Sequence, residues 1–143
     1  MNYLLDINVV SELVAQHPDS KVIQWVDSVD PASLYLSVIT ISEIKQGIEK
    51  LPDSRRRSLL IEWLEQDLLV RFGEHVLPID ISIILAWGRL LAELETKGRP
   101  LPAIDSLLAA TALQFGFTLV TRNISDFAAA DIDLLNPWEA SVA

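Results

Sequence analysis

Four acidic residues of this sequence lie at positions where a folded chain rarely keeps an unpaired charge. Asp6 directly follows a short apolar run that predicts a buried strand, and Asp126 follows a second such run near the end of the chain. On a predicted helix, Asp105 shares its face with small apolar residues at i+3, i+4 and i+7, where a lone charge is costly. Glu43 lies on a helix that follows another predicted strand. None of the four has a base immediately beside it.

Three or four carboxylates at one edge of a sheet repel one another, and their removal from water adds to that cost. Hard divalent cations resolve the repulsion, because Mg²⁺ and Mn²⁺ prefer carboxylate oxygen and water as ligands. Such a cation suits phosphoryl chemistry, since it lowers the pKa of a bound water and neutralises phosphate oxygens. The pattern therefore predicts a site for one or two metal ions that acts on a phosphate ester.

Each acid also has an ordinary structural interpretation. Asp6 is a good N-cap for the helix that follows it, and Asp126 fits an Asx turn. Thr40 and Glu43 have the spacing of a capping box at the start of a predicted helix. Asp105 would be favoured by the helix dipole in a first turn. The acids therefore carry a functional prediction as a set and not singly.

The composition is that of a globular chain. Half of the 143 residues are hydrophobic and the mean hydropathy is +0.32, which excludes a disordered chain. With no cysteine and two isolated histidines, disulfide, thiolate and histidine-rich metal chemistry are not expected. The formal net charge of −9 argues at first sight against nucleic acid as a partner. We expect one domain over residues 1–143, no signal peptide or membrane span, and a cytoplasmic location.

Periodicity predicts strands that alternate with helices. The predicted strands are 3–5, 34–38, 76–79, 117–121 and, with a weaker pattern, 132–135; Pro78 places the third at a sheet edge. Helices are predicted over 8–15, around 22–26, from Thr40 to about 51, over 53–72, from a Ser82 cap to about 97, and over 103–115. This alternation predicts an α/β three-layer fold with a mostly parallel sheet, in which sites form beyond the carboxyl ends of the strands.

In their order along the chain, several segments resemble the PIN-domain family, and within it the VapC and FitB-type toxins of prokaryotic toxin–antitoxin pairs. The resemblance is carried by the runs Leu4 to Glu12, Leu36 to Ile44, Pro102 to Ala112, Val120 to Asn123 with Asp126-Phe127, and Asn136-Pro137-Trp138. It extends from residue 3 to residue 138. The motifs are specific as an ordered set and weak one at a time.

The resemblance implies a Mg²⁺- or Mn²⁺-dependent endoribonuclease in which a metal-activated water cleaves the RNA backbone and leaves a 5′-phosphate. Asp6, Glu43 and Asp105 match the first three acids of the family. The fourth is in doubt, because Asn123 occupies the position where some relatives carry Asp, and Asp126 offers a nearby replacement. With metal bound at these acids, the charge of −9 becomes a requirement for cations and no longer excludes RNA.

The resemblance also gives supporting roles and partners. Asn8 is retained beside Asp6, and Thr40 precedes the second acid, whereas Ile7 stands where the family usually has Thr. A homodimer is implied, as is an antitoxin that blocks the acidic groove and forms a hetero-oligomer with the toxin, often with an inserted basic side chain. The run Arg55-Arg56-Arg57 is a candidate RNA contact, although a solvated surface patch is the simpler interpretation.

Two other interpretations remain open. A haloacid-dehalogenase-like phosphatase would use Asp6 as a nucleophile, but Asn8 replaces the general acid of its Asp-x-Asp motif, and the chain has no room for a cap domain. A catalytically weak PIN interaction module would use the acids only as caps. Ile7 and Asn123 keep this second alternative open, while the three retained acids argue against it.

Overall fold

A parallel sheet of five strands forms the centre of the computed structural model, which describes residues 1–139. The strands are β1 (Tyr3–Leu5), β2 (Leu34–Ser37), β3 (Val76–Leu77), β4 (Thr118–Val120) and β5 (Leu134–Leu135). Their order is β3-β2-β1-β4-β5, and every neighbouring pair is parallel. β1 is therefore the middle strand, and the predicted edge position of β3 is confirmed.

Helices cover both faces of the sheet. They are α1 (Ile7–Glu12), α2 (Ser20–Ser28), α3 (Val38–Glu49), α4 (Arg55–Glu62), α5 (Leu69–Phe72), α6 (Ile81–Thr96), α7 (Ala103–Phe115) and α8 (Ile124–Phe127). Side chains of α1 to α5 pack with Leu5 on one face, and side chains of α6 to α8 pack with Leu4 on the other. Because successive strand residues point to opposite faces, this split is expected for a strand buried on both sides. The predicted three-layer α/β fold is confirmed.

The start of α3 differs from the prediction. The helix begins at Val38, and Ser37 is its N-cap, with its Oγ accepting a hydrogen bond of 3.1 Å from the backbone N–H of Ile39. Thr40 therefore lies inside the first turn, and the predicted capping box of Thr40 and Glu43 is wrong. The start of α6 differs in the same way, since Asp80, not Ser82, caps it. In both cases the helix begins earlier than predicted, and the side chain of the residue before it accepts from a free backbone N–H.

The helix predicted over 53–72 is divided in two. It begins at Arg55 behind the N-cap Ser54, and a π-helical turn, Trp63–Leu68, separates α4 from α5. The apolar residues on its inner face recur every four positions, at Leu60, Leu64, Leu68 and Phe72. A spacing of four drifts around a helix of 3.6 residues per turn, and the wider π turn brings these residues back to one face.

Two short elements after β4 were not predicted. The helix α8 and a 3₁₀ turn, Ala128–Ala130, lead to β5, which is shorter than the predicted 132–135. They direct the chain around the carboxyl end of β4, where Phe127 is buried against the α6–α7 layer. Among residues 1–139, no helix is both long and apolar enough to cross a membrane.

Candidate active site

Asp6 lies at the carboxyl end of the middle strand, where the sheet order reverses. From β1 the chain moves to β2 on one side, and it later returns to β4 on the other. In open α/β sheets, ligand sites form at such a switch point. Asp6 is 5 % exposed, and its Oδ1 accepts a hydrogen bond of 2.8 Å from the backbone N–H of Ile7. Burial raises the pKa of the Asp6 carboxyl, and the hydrogen bonds from Thr121 and Ile7 oppose that shift.

Asp6 is held from the neighbouring strand by a buried hydroxyl. Thr121, the residue after β4, donates a hydrogen bond of 2.8 Å to Asp6 Oδ2, and it accepts one of 3.1 Å from the backbone N–H of Asn123. Asn8 Nδ2 lies 3.4 Å from Thr121 Oγ1 and 3.5 Å from Asp6 Oδ2. Asn8 Oδ1 accepts from the backbone N–H of Arg122 at 3.4 Å. Asn8 thus braces Asp6, whereas Asn123 contributes its backbone here and exposes its side chain.

The segment 136–138 is fastened to this loop. Asn136 Nδ2 donates to the carbonyl of Arg122 at 3.4 Å, and Asn136 Oδ1 accepts from the backbone N–H of Trp138 at 2.9 Å. The guanidinium carbon of Arg122 lies 5.2 Å from the centre of the Trp138 ring, a cation–π contact. The Asn-Pro-Trp run therefore supports the loop that carries Thr121.

Glu43 reaches the site from the second turn of α3. It is half-buried, and its Oε1 atom is buried with no hydrogen-bond partner within residues 1–139. Burial raises the pKa of the Glu43 carboxyl first, and the charges of Asp6 and Asp105 raise it further. Thr40 lies one turn earlier on α3, and its buried Oγ1 is also without a partner in the described chain.

Asp105 reaches the site from the first turn of α7 and is half-buried. Burial raises the pKa of its carboxyl, and the charges of Asp6 and Asp126 raise it further. Asp126, on α8, is exposed and lines with Asp105 a depression of about 390 Å³. The structure therefore brings all four predicted acids to one end of the sheet.

The donor set fits a hard divalent cation. The side chains offer only oxygen, one buried oxygen is unpartnered, and Asp6, Glu43 and Asp105 act on each other as like charges. Within residues 1–139, however, no three acidic, histidine or cysteine side chains converge closely enough to hold one ion directly. Mg²⁺ tolerates such spacing, because it keeps several waters and commonly takes only one or two carboxylates.

The predicted arginine run lies beside the site, and two of its three side chains contact other residues. Arg57 forms an ion pair of 3.0 Å with Glu49, and Arg56 Nη2 lies 3.5 Å from the carbonyl of Val14. Arg55 is exposed. Arg56 also lines, together with Glu43, a mostly apolar groove of about 290 Å³ between α1, α3 and α4. An RNA contact by the arginines stays a prediction.

Thr121 is the site residue that the sequence argument missed. Its hydroxyl donates a hydrogen bond of 2.8 Å to Asp6 Oδ2 and orients that carboxylate. The available signal was its place directly after a buried strand. That position identifies Thr121 as a site residue only when β4 is known to pair with β1, with Leu5 opposite Val120.

Comparisons with known proteins agree with this geometry. The model of the PIN domain matches residues 3–132. VapC ribonuclease Y4jK of Sinorhizobium fredii is 38% identical over 95% of this chain and 97% of its own length. Toxin FitB of Neisseria gonorrhoeae is 36% identical over 94% of this chain and 97% of its own length. The structure of FitAcB from N. gonorrhoeae superposes with a TM-score of 0.92, at 36% identity, covering 96% of this chain and 99% of that chain.

The chain therefore belongs to the PIN-domain family, and within it to the VapC-type ribonucleases that are the toxins of toxin–antitoxin systems. Ribonucleases of this family depend in general on a divalent metal ion. The phosphatase alternative is not favoured by these matches. The structure agrees, because Asn8 is occupied in bracing Asp6 and the loop after β4.

Proposed function

We propose that the acidic end of the sheet cleaves RNA phosphodiester bonds with Mg²⁺ or Mn²⁺ held, directly or through water, by Asp6, Glu43 and Asp105, and with Asp126 as the fourth acid. One observation carries the proposal. Three carboxyl groups face one another with raised pKa values, and no base contributes to lowering them. A folded chain gains nothing from this arrangement unless a cation completes it.

The residues of the chain have separate parts in this proposal. Thr121 and Asn8 fix the Asp6 carboxylate, which interacts as a like charge with Glu43 of α3 and Asp105 of α7. Glu43 offers a buried oxygen that has no other use in the described chain. When bound, the cation supplies neutralisation of phosphate charge and acidification of water. Because its substrate is cellular RNA, we place the protein in the cytoplasm.

Asp105→Asn is the test of this function, since it keeps the side-chain volume and removes the charge. We expect loss of Mg²⁺-dependent cleavage of an RNA hairpin by at least a hundredfold, with an unchanged circular dichroism spectrum. Asp27→Asn on α2, an exposed position away from the acids, is the matched control and should cleave as the wild type does. Cleavage by Asp105→Asn at the wild-type rate, or wild-type cleavage in excess EDTA, would refute the assignment.

We also propose that an antitoxin covers the groove beside Glu43. The solved relatives include toxin–antitoxin complexes, and the groove offers Ile44, Leu60 and Trp63 beside an acidic end that suits a basic side chain. Gly47 lines this groove, and a Cβ placed there meets nothing within 4 Å. Gly47→Leu should therefore fold and cleave RNA but resist inhibition by the co-expressed antitoxin. Inhibition equal to that of the wild type would exclude the groove as the binding surface.

A homodimer, which the family resemblance implies, is proposed as well. One face of α6 exposes apolar side chains one helical turn apart, with Ile81 73%, Ile84 40%, Leu85 65% and Leu91 37% exposed. A contiguous apolar stripe on a folded chain is typical of a surface that a partner covers. A second copy of the chain is the partner that we propose for it.

A further inference from the structure

One basic residue lines the acidic depression and makes no side-chain contact that would explain its place there within residues 1–139. Arg99, in the loop between α6 and α7, lines the depression together with Asp105, Ser125 and Asp126, and it is the only base among the residues that do so. Its side chain is exposed, and within residues 1–139 it forms no ion pair or side-chain hydrogen bond. Lys97, two residues earlier, is engaged with the carbonyl of Ala129 at 2.9 Å.

The backbone that carries Arg99 is fixed. Gly98 adopts a φ of +66°, which a residue with a side chain rarely adopts, and ends α6. The backbone N–H of Arg99 then donates to the carbonyl of Leu94 at 2.9 Å. Pro100 and Pro102 follow and restrict the chain up to the start of α7. Arg99 therefore lines the depression from a fixed backbone position, six residues before Asp105 in the sequence.

Arg99 does not serve as the counter-ion of the acids. Among residues 1–139, Arg99 forms no ion pair with Asp105, Asp126 or any other carboxylate. The guanidinium is thus free to meet a ligand that carries its own negative charge.

We propose that Arg99 binds a non-reacting phosphate of the RNA, next to the phosphate that is cleaved. The inference rests on the proposed ribonuclease function and deepens it. A planar guanidinium offers two parallel N–H donors, which match two phosphate oxygens. Because the chain has a formal net charge of −9, it repels the phosphates on either side of the cleaved one, and a cationic side chain beside the acids would offset that repulsion.

The experiment compares Arg99→Gln with Arg89→Gln. Arg89 is exposed on α6, seven residues and roughly 10 Å along the axis before that helix ends at Thr96, so its variant removes the same charge at a distance from the depression. For Arg99→Gln we expect the KM for a short RNA to rise about tenfold, with kcat within twofold of the wild type. A plot of log(kcat/KM) against log[salt] should become less steep by about 0.7, as for one lost phosphate contact. Arg89→Gln should change neither.

Binding without turnover gives a second readout. In a Glu43→Gln background, Arg99→Gln should weaken the binding of a fluorescent RNA about tenfold, and Arg99→Lys should keep the salt slope. A neutral methylphosphonate beside the cleaved bond should abolish the difference in affinity that Arg99→Gln causes, and it should do so at one position only. The inference would be overturned if methylphosphonate replacement at each position in turn left that difference in affinity intact. It would also be overturned if Arg99→Gln left KM and RNA affinity unchanged.

The two proposals fail in distinguishable ways. If the ribonuclease proposal is wrong, the wild type does not cleave RNA in a metal-dependent manner, or Asp105→Asn cleaves normally. If only the Arg99 inference is wrong, the wild type and Asp105→Asn behave as expected, and Arg99→Gln matches Arg89→Gln. A fall in kcat at constant KM would also overturn the inference, because it would place Arg99 at the reacting phosphate.

Discussion

Glu43→Gln should stabilise the metal-free protein. Its Oε1 is buried without a partner, so the substitution breaks no hydrogen bond at that atom and nearly conserves volume. It does remove a negative charge that faces the charges of Asp6 and Asp105. Active sites often hold such groups at a cost in stability, and their removal commonly raises stability while it abolishes function.

The size of the effect follows from the surroundings of the side chain. Glu43 is half-buried, so solvent screens part of the repulsion from the other two carboxylates. We expect a gain of about 1 kcal/mol in the free energy of unfolding at pH 7.5 in EDTA. For a chain of this length that gain raises Tm by about 3–4 °C, which differential scanning fluorimetry resolves.

The pH dependence of stability gives the sign of the Glu43→Gln effect independently. The pKa of Glu43 is raised in the folded protein above its ordinary value of 4.5, so the folded state binds this proton more tightly than the unfolded state. The stability that this proton contributes is present below the pKa of the unfolded state and is lost as pH rises through the pKa of the folded state. The advantage of Glu43→Gln should therefore be smallest near pH 4.5 and grow towards neutral pH. Added Mg²⁺ should raise the Tm of the wild type more than that of the variant.

Glu49→Gln is the matched control on the same helix. Glu49 is exposed, and hydrogen bonding and charge from Lys45 and the charge of Arg57 hold the pKa of its carboxyl below the usual value. Removing this charge should leave Tm unchanged or lower it slightly. A lower Tm for Glu43→Gln than for the wild type in EDTA would show that the Glu43 carboxylate makes a stabilising contact, and the reasoning would fail.

Three further predictions concern the site and its surroundings. Thr121→Val removes the hydroxyl that donates to Asp6 and should raise the pKa of that carboxyl further, so the acidic limb of the pH–rate profile moves to higher pH; an unmoved limb would show that Thr121 does not tune Asp6. Asp126→Asn should lower metal-dependent cleavage at least tenfold while Asn123→Ala stays within twofold, and the reverse order in the same assay would make Asn123 the fourth position. Leu85→Glu, at a side chain 65% exposed, should keep the circular dichroism spectrum of the wild type but give a monomer by light scattering. An unchanged dimer would place the interface elsewhere.

The sequence predicted the parts of the fold that depend on local pattern. Short apolar runs flanked by polar residues identified the strands, and the apolar spacing within 103–115 gave α7 with the bounds that the structure has. Asp6 and Asp105 were found because each breaks an apolar pattern at the end of a strand or on a helix face. The prediction of one domain over residues 1–143 stays a prediction.

What the sequence did not predict depends on contacts between distant segments. The cap of α3 depends on whether the helix begins after Ser37 or after Thr40, since each can serve as an N-cap, and spacing alone does not resolve it. The π turn within 63–68 follows from which side chains meet the core. The role of Thr121 requires the strand order, because the hydroxyl acts on a neighbour in space and not in sequence.

The hydrogen bond between Thr121 and Asp6 joins residues 115 positions apart, and this distance sets an order in time. During synthesis at about 5–20 residues per second, roughly 6 to 23 s separate the appearance of the two residues. Until Thr121 has been made, β4 cannot pair with β1, and Asp6 lacks the hydrogen bond of 2.8 Å from the Thr121 hydroxyl. The separation therefore delays completion of the Asp6 site until β4 has been made. A chain that has not yet been translated to that point holds no assembled nuclease.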